Sequence, residues 1–129
     1  MEPRILVVSP HGDDVRALTG MLDLLAVGVA HATDVQQARE RLGLESFGAV
    51  VVEAQLADGT WLDVLASAHQ SPRPPAVIVT RAHADARTWV HAIESGAYDL
   101  LPQPFHAPEV RRILERALGL TGGARAAGR

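Results

Sequence analysis

The sequence has no cysteine, no excess of basic residues and no long apolar segment, and each absence excludes a class of function. Without cysteine among its 129 residues, the chain has no disulfide, no thiol nucleophile and no cysteine-ligated zinc. Its 12 basic residues do not outnumber its 15 acidic ones, so a surface for the nucleic-acid backbone is not expected. No apolar stretch reaches the roughly 18–20 residues of a membrane-spanning helix, and the first apolar run follows no signal peptide. We therefore expect a cytoplasmic protein that contacts neither nucleic acid nor a membrane.

The composition is typical of one globular domain. Hydrophobic residues make up 47% of the sequence and charged residues 21%. A chain of this length buries enough surface to fold without disulfides or a structural metal. Regular apolar patterns cover residues 1–120, whereas residues 121–129 are small and basic without periodicity. The prediction is one domain over residues 1–120, followed by a flexible tail or the start of a linker.

Short β-type runs alternate with helix-length amphipathic segments along the domain. Strands are predicted at residues 5–8, 29–32, 49–52, 76–79 and 98–101. Helices are predicted at about residues 13–25, 34–42, 60–69, 85–95 and 108–118. The first, third and fourth strands are continuously apolar, which is typical of strands buried on both faces. Five successive βα units predict an α/β three-layer sandwich with a parallel five-stranded sheet.

Two of the helices carry expectations about individual side chains. Asp13 or Asp14 is expected to cap the first helix or to complement its dipole, rather than to serve a distant site. On the fourth helix, Val90 and Ile93 belong to an apolar stripe, and Trp89 lies beside that stripe, half exposed.

Polar residues stand where the predicted strands end, and binding sites of parallel sheets form at that edge. These candidates are Ser9 and Pro10 after the first strand, Glu53 after the third, Thr80 and Arg81 after the fourth, and Gln103 after the fifth. The six histidines lack the spacing of a metal site. Ser9, His11 and Asp13 lie in one loop without a nucleophile-elbow sequence, so no catalytic residue is predicted.

Residues 4 to about 120 resemble the receiver domain of bacterial two-component response regulators. The likeness lies in the first strand, in Val50–Gly59 as the third strand with its loop, in Val77–Thr80, and in Gly96–Phe105 as the fifth strand with its turn. The resemblance implies a doubly wound, flavodoxin-like (βα)5 fold. It also implies a signalling role in which an aspartate after the third strand accepts a phosphoryl group with the help of Mg²⁺.

The residues at the family's phosphorylation site differ in this sequence. Ser9 and Pro10 stand where the family has an acidic pair that holds Mg²⁺, so we expect Mg²⁺ binding to be lost. Glu53 replaces the acceptor aspartate and carries its carboxylate one methylene further out. Gln103 replaces the family's lysine and supplies a hydrogen-bond donor without a charge.

Three further positions bear on how the family transmits its signal. Thr80 retains the switch hydroxyl, whereas Leu100 stands where many receivers have an aromatic switch residue. Arg81 replaces a small residue, and one hypothesis is that its guanidinium pairs with Glu53 in place of the missing lysine. The alternative is an arginine that remains in solvent.

The leading interpretation is a degenerate receiver domain without enzymatic activity that works as a phosphorylation-independent protein-interaction module. Its partner, or a second copy in a homodimer, would bind the face of the fourth helix, fifth strand and fifth helix, where Trp89 and Tyr98 lie. The alternative is a phospho-accepting response regulator with a rearranged site in a phosphorelay. A stand-alone ligand binder is disfavoured because the chain lacks a glycine-rich phosphate loop.

Overall fold

The computed structural model describes residues 3–82 and 85–120. Its strands are β1 (Arg4–Val8), β2 (Gly28–Ala32), β3 (Ala49–Glu53), β4 (Gln55–Leu56), β5 (Gly59–Thr60), β6 (Ala76–Ala82) and β7 (Asp99–Gln103). Its helices are α1 (Gly12–Met21), α2 (Val35–Leu44), α3 (Trp61–Ala68), α4 (Ala86–Ser95) and α5 (Ala107–Leu118). Five strands form a parallel sheet in the order β2-β1-β3-β6-β7, so the predicted flavodoxin-like α/β fold is confirmed.

The core consists of two apolar clusters, one on each face of the sheet. Alternate residues of a strand point to opposite faces, so neighbours such as Leu100 and Leu101 belong to different clusters. One cluster packs beneath α2, α3 and α4, and the other beneath α1 and α5. The central strands are buried on both sides, as their continuous apolar runs predict.

The first helix differs from the prediction at both ends. It stops at Met21 and the chain then turns, with the Leu25 amide donating to the Leu22 carbonyl, so that the chain can enter β2. Its N-cap is His11, and the structure shows no side-chain cap there. Because the helix already begins at Gly12, Asp13 and Asp14 lie inside its first turn, where they complement the dipole but do not cap.

The segment after β3, predicted as a loop, contains the two-residue hairpin β4–β5. Asp58 at its turn accepts hydrogen bonds from the amides of Val35 (2.9 Å) and Gln36 (3.1 Å), which begin α2. Thr60 and Asp63 form a capping box at the start of α3. These hydrogen bonds fix the chain that follows Glu53 against α2 and α3.

The fourth helix is attached more loosely than its pattern predicts. Only Ala92 is buried within α4, while Val90 is 57% and Ile93 42% exposed, so much of the apolar stripe of α4 lies in solvent. The reason is that α4 lies over β7, the edge strand of the sheet, which offers a narrow surface to cover. Trp89 is 52% exposed, as expected.

Some sequence predictions lie outside the described residues. The tail at residues 121–129 and His83 in the connection between β6 and α4 are among them. Within the ranges 3–82 and 85–120, no helix combines the length and apolarity that crossing a membrane would need.

Candidate functional site

Three predicted site residues meet at the carboxyl edge of the sheet. Glu53 ends β3 beside Thr80 of β6, and Gln103 ends β7 beside Ala82. The Gln103 side chain lies between the other two: its Nε2 donates to Glu53 Oε1 at 3.0 Å and to Thr80 Oγ1 at 3.1 Å. We call this arrangement the Glu53–Gln103–Thr80 network. It links three neighbouring strands through one amide group.

Both protons of the Gln103 amide are used in the network, because a side-chain amide nitrogen has two donors. Thr80 is buried, at 2% exposure, so its hydroxyl depends on protein partners. Glu53 and Gln103 are partly exposed. The network therefore joins a buried hydroxyl to a partly exposed carboxylate at the edge where strand ends create sites in parallel sheets.

Ser9, the residue after β1, makes hydrogen bonds that hold the local backbone in place. Ser9 is buried, and its amide donates to the Ala32 carbonyl at 2.9 Å. Ser9 Oγ accepts from the His11 amide at 3.0 Å, and its carbonyl oxygen accepts from His31 Nε2 at 2.8 Å. Pro10 is exposed. Ser9 thus holds the turn from β1 into α1.

Asp14 occupies a position that the sequence did not indicate. Its carboxylate and the His11 side chain lie close enough to Glu53 to influence that carboxylate electrostatically. Asp14 therefore influences Glu53 in addition to complementing the dipole of its own helix. The helix begins directly after His11, so its first turn lies over the strand ends. The only sequence signal was the acidic pair itself, which is also an ordinary feature of a helix start.

Burial raises the pKa of Glu53 above its ordinary value of 4.5, and the neighbouring Asp14 carboxylate raises it further. The hydrogen bond from Gln103 and the charge of His11 act in the opposite direction. The folded state therefore holds the Glu53 proton more tightly than the unfolded chain does.

The raised pKa predicts a pH dependence of folding that a Glu53→Gln variant lacks. Stability contributed by Glu53 is fully present below pH 4.5 and is lost as the pH rises through its folded pKa, because there the folded state binds more protons. Subtracting the variant's free energy of unfolding from that of the natural chain should give a difference that falls with rising pH. Urea denaturation across the acidic and neutral range measures it.

Asp58 offers a control of opposite sign, because hydrogen bonds from the amides of Val35 and Gln36 lower its pKa below 3.8. The free energy of unfolding of the natural chain minus that of Asp58→Asn should therefore rise as the pH increases through the lowered pKa of Asp58. Equal slopes for the two variants would contradict the assignment of Glu53.

A Gln103→Met variant tests the hydrogen bonds of the network directly. Methionine keeps the length of the side chain but has no donor, so Glu53 and the buried Thr80 both lose a partner. We expect a loss of about 1 kcal/mol, toward the low end for an unsatisfied polar group because water reaches part of the site. Urea denaturation measures this loss, with Gln55→Met at an exposed position as the matched control. A cost no greater than that of the control would show that the network adds nothing to stability.

Comparison with known proteins identifies the family of this chain. Residues 5–115 match the family described as response regulator receiver domain. The chain belongs to this family. Response regulator protein PilR of Pseudomonas aeruginosa is 29% identical over 91% of this receiver domain, and transcriptional regulatory protein FixJ of Bradyrhizobium diazoefficiens is 32% identical over 79%. The domain spans 26% of PilR and 50% of FixJ.

Solved structures show the same architecture. The signal receiver domain of the putative Luxo repressor protein from Vibrio parahaemolyticus superimposes with a TM-score of 0.85, covering 92% of each chain at 22% identity. This architecture agrees with the family match over residues 5–115, which shows a receiver domain of a two-component response regulator.

The family's Mg²⁺ site has no fitting set of donors here. Ser9 Oγ is already engaged by the His11 amide, and Pro10 has no donor atom in its side chain. One oxygen of Glu53 accepts from Gln103. In the part of the chain that the structure describes, no group of three or more metal-ligating side chains comes together. Mg²⁺ favours octahedral oxygen ligation with carboxylates, so this receiver domain lacks the ligands that its relatives' site would need.

The remaining predicted residues are placed apart from the network. Arg81 is exposed, and residues 3–82 and 85–120 contain no ion pair between it and Glu53, so the pairing hypothesis is wrong. The reason is that Gln103 already occupies the space beside that carboxylate. Leu100 is 7% exposed and packs in the same cluster as Ala92 of α4. Tyr98 is 41% exposed at the start of the β7 segment, away from the strand ends.

Proposed function

We propose that this receiver domain is degenerate and works as a phosphorylation-independent module for protein interaction. The observation that carries the proposal is the Glu53–Gln103–Thr80 network. In it an uncharged amide joins the acceptor position directly to the switch hydroxyl. The switch position contains Leu100, which is already buried. The domain is thereby held in one signalling state.

The chemistry of the edge residues supports the same conclusion. Phosphoryl transfer to a carboxylate requires cations that neutralise the transferred group. Here the lysine position supplies a neutral amide and the acidic-pair positions supply a hydroxyl and a proline. A carboxylate displaced by roughly an ångström also loses alignment with the phosphorus, which can reduce the rate ~100-fold. We infer that the domain has no catalytic turnover and needs no cofactor.

The interaction surface of the proposal is the face formed by α4, β7 and α5. It contains a groove of about 460 Å³ in which Trp89 lies beside both acidic and basic side chains. The charged residues lining it are Asp85, Asp99, Glu109, Arg112 and Arg116. Trp89, Val90 and Ile93 add an exposed apolar surface of the kind that anchors interfaces. This face fits a protein partner or a second copy of the domain.

The test is intact-protein mass spectrometry after incubation with acetyl phosphate and Mg²⁺. The proposal expects an unchanged mass and no saturable change in the fluorescence of Trp61 and Trp89 upon addition of Mg²⁺. The alternative, a phospho-accepting domain with a rearranged site, draws on the second carboxylate that Asp14 brings to Glu53. A Mg²⁺-dependent phosphoryl adduct would establish that alternative, and mapping the adduct would identify the acceptor.

A further inference from the structure

Strand β2 forms one edge of the sheet, with β1 as its neighbour. The Gly28 amide and the Ala32 carbonyl bond to the chain at the two ends of β1. In a parallel strand, residues whose backbone groups face one neighbour alternate with residues whose groups face the other side. Gly28, Ala30 and Ala32 therefore face β1, and the amides and carbonyls of Val29 and His31 point out of the sheet.

The outward groups of β2 have no partner in the part of the chain that the structure describes, because no hydrogen bond there involves the amide or carbonyl of Val29 or His31. Both residues are partly exposed. An edge with free donors and acceptors is a template for a further strand. Charged residues and prolines protect such edges. Strand β7, at the opposite edge, contains Asp99 and Pro102, whereas β2 contains neither type of residue.

The side chains of β2 leave this edge open. His31 Nε2 is hydrogen-bonded to the Ser9 carbonyl oxygen at 2.8 Å, so the ring is directed toward β1 and away from the edge. Val29 packs partly against the cluster beneath α1 and α5, and Ala30 belongs to the cluster on the other face of the sheet. A second strand can therefore reach the backbone of β2 while these contacts persist.

We propose that β2 pairs with β2 of a second copy of this chain, antiparallel about a two-fold axis at Ala30. In this register Val29 lies opposite the partner's His31, and such a pair exchanges both amide-to-carbonyl hydrogen bonds. The two-fold axis repeats the pair, so every outward amide and carbonyl of both strands has a partner. A symmetric interface of this kind closes with two copies and leaves no free edge at the junction.

The residues of β2 suit this pairing. Ala30 lies opposite the partner's Ala30, where the Cα atoms of an antiparallel pair are about 4.5 Å apart and small side chains fit. Strand β2 contains no acidic residue, arginine or lysine, so the axis brings no like charges together within the strands. The surface lies at the opposite edge of the sheet from the α4–β7–α5 face, so the inference goes beyond the proposed function and does not depend on it.

Single-cysteine variants test the register, because the natural chain has no cysteine and any disulfide must join two copies. In Ala30→Cys the two substituted residues face each other within the Cα separation that disulfides adopt. In Val29→Cys, the matched control on the same strand, they are diagonal neighbours about 7–8 Å apart, which is too far. Upon oxidation with diamide, Ala30→Cys should form the linked dimer about tenfold faster, although Val29 is the more exposed residue. Non-reducing gel electrophoresis measures the rates.

Sedimentation equilibrium of the natural chain measures the association itself, and we expect a reversible dimer. Val29→Pro removes an outward amide but no hydrogen bond to β1, and an edge strand tolerates proline where its nitrogen points out of the sheet. The dissociation constant of this variant should rise at least about tenfold, because each copy loses one donor of the interface. Circular dichroism checks that the variant folds, and if it does not, the two cysteine variants decide the question.

Three results would overturn the proposal. The first is a natural chain that remains monomeric up to millimolar concentration, and the second is equal cross-linking of the two cysteine variants. The third is a dimer that persists in Val29→Pro but is lost in Val90→Lys, which would place the interface on the α4–β7–α5 face instead. These measurements use no phosphodonor or Mg²⁺, so their failure is distinct from a phosphoryl adduct, which would overturn the proposed function.

Discussion

A variant that combines Ser9→Asp, Pro10→Asp, Glu53→Asp and Gln103→Lys is expected to bind Mg²⁺ and accept a phosphoryl group, whereas the natural chain is expected to do neither. The substitutions supply three carboxylates and a cation at strand ends that the fold already brings together. Hard oxygen ligands favour Mg²⁺, and the lysine neutralises the transferred group. The expected result is a change from no adduct to a Mg²⁺-dependent one in intact-mass spectra after treatment with acetyl phosphate.

The same variant should become dependent on Mg²⁺ for stability. Ser9 is 2% exposed, so an aspartate there would bury a carboxylate close to two others, which destabilises the fold until a cation binds. Mg²⁺ at about 100 times its dissociation constant would then raise the free energy of unfolding by about 2.7 kcal/mol. Urea denaturation with and without Mg²⁺ measures this gain.

The control for this variant retains Glu53 and carries the other three substitutions. It should respond to Mg²⁺ but remain a poor phosphoacceptor, because its carboxylate lies one methylene too far out. Two results would contradict this explanation of the substituted site residues. One is a phosphoryl adduct on the natural chain, and the other is a fourfold variant whose free energy of unfolding does not change with Mg²⁺.

The fold could be predicted because its signals are local and repeated. Continuous apolar runs such as residues 49–52 are found in strands buried on both faces, and α5 has the i, i+3, i+4 stripe that packs on a sheet. Parallel strands joined by helices leave few topologies open. The observed strand order and both core clusters follow from those patterns.

The details of the site were less predictable because they depend on how short segments pack against one another. The sequence placed Glu53, Thr80 and Gln103 at neighbouring strand ends, but their spacing in the chain did not show that one amide bridges the other two. Asp14 lies near enough to influence Glu53 because α1 begins directly after His11, and that starting point is set by Ser9 contacts with β2. The same limit applies to α4, whose apolar stripe does not reveal that it lies over an edge strand.

Leu101→Ala is expected to lower the free energy of unfolding by about 3–5 kcal/mol, the range for a large buried side chain whose removal leaves a cavity. Leu101 has 0% exposure and packs with Ile113 and Leu114 of α5 in the cluster beneath α1 and α5. That side of β7 is closed by a helix with three buried residues, so the cavity cannot collapse easily. Urea denaturation monitored by far-UV circular dichroism measures the loss.

Leu100→Ala, one residue earlier on the same strand, is the matched comparison. Leu100 faces α4, which buries only Ala92, so the helix can shift to fill the space and the cost should be about 2 kcal/mol, at the low end of the range for such substitutions. Hydrogen exchange should accelerate in α4 for Leu100→Ala and throughout the sheet for Leu101→Ala. Equal costs with the same exchange pattern would contradict a loosely attached α4. The expected contrast would instead show that Leu100, at the switch position, controls the order of the helix that carries the exposed Trp89.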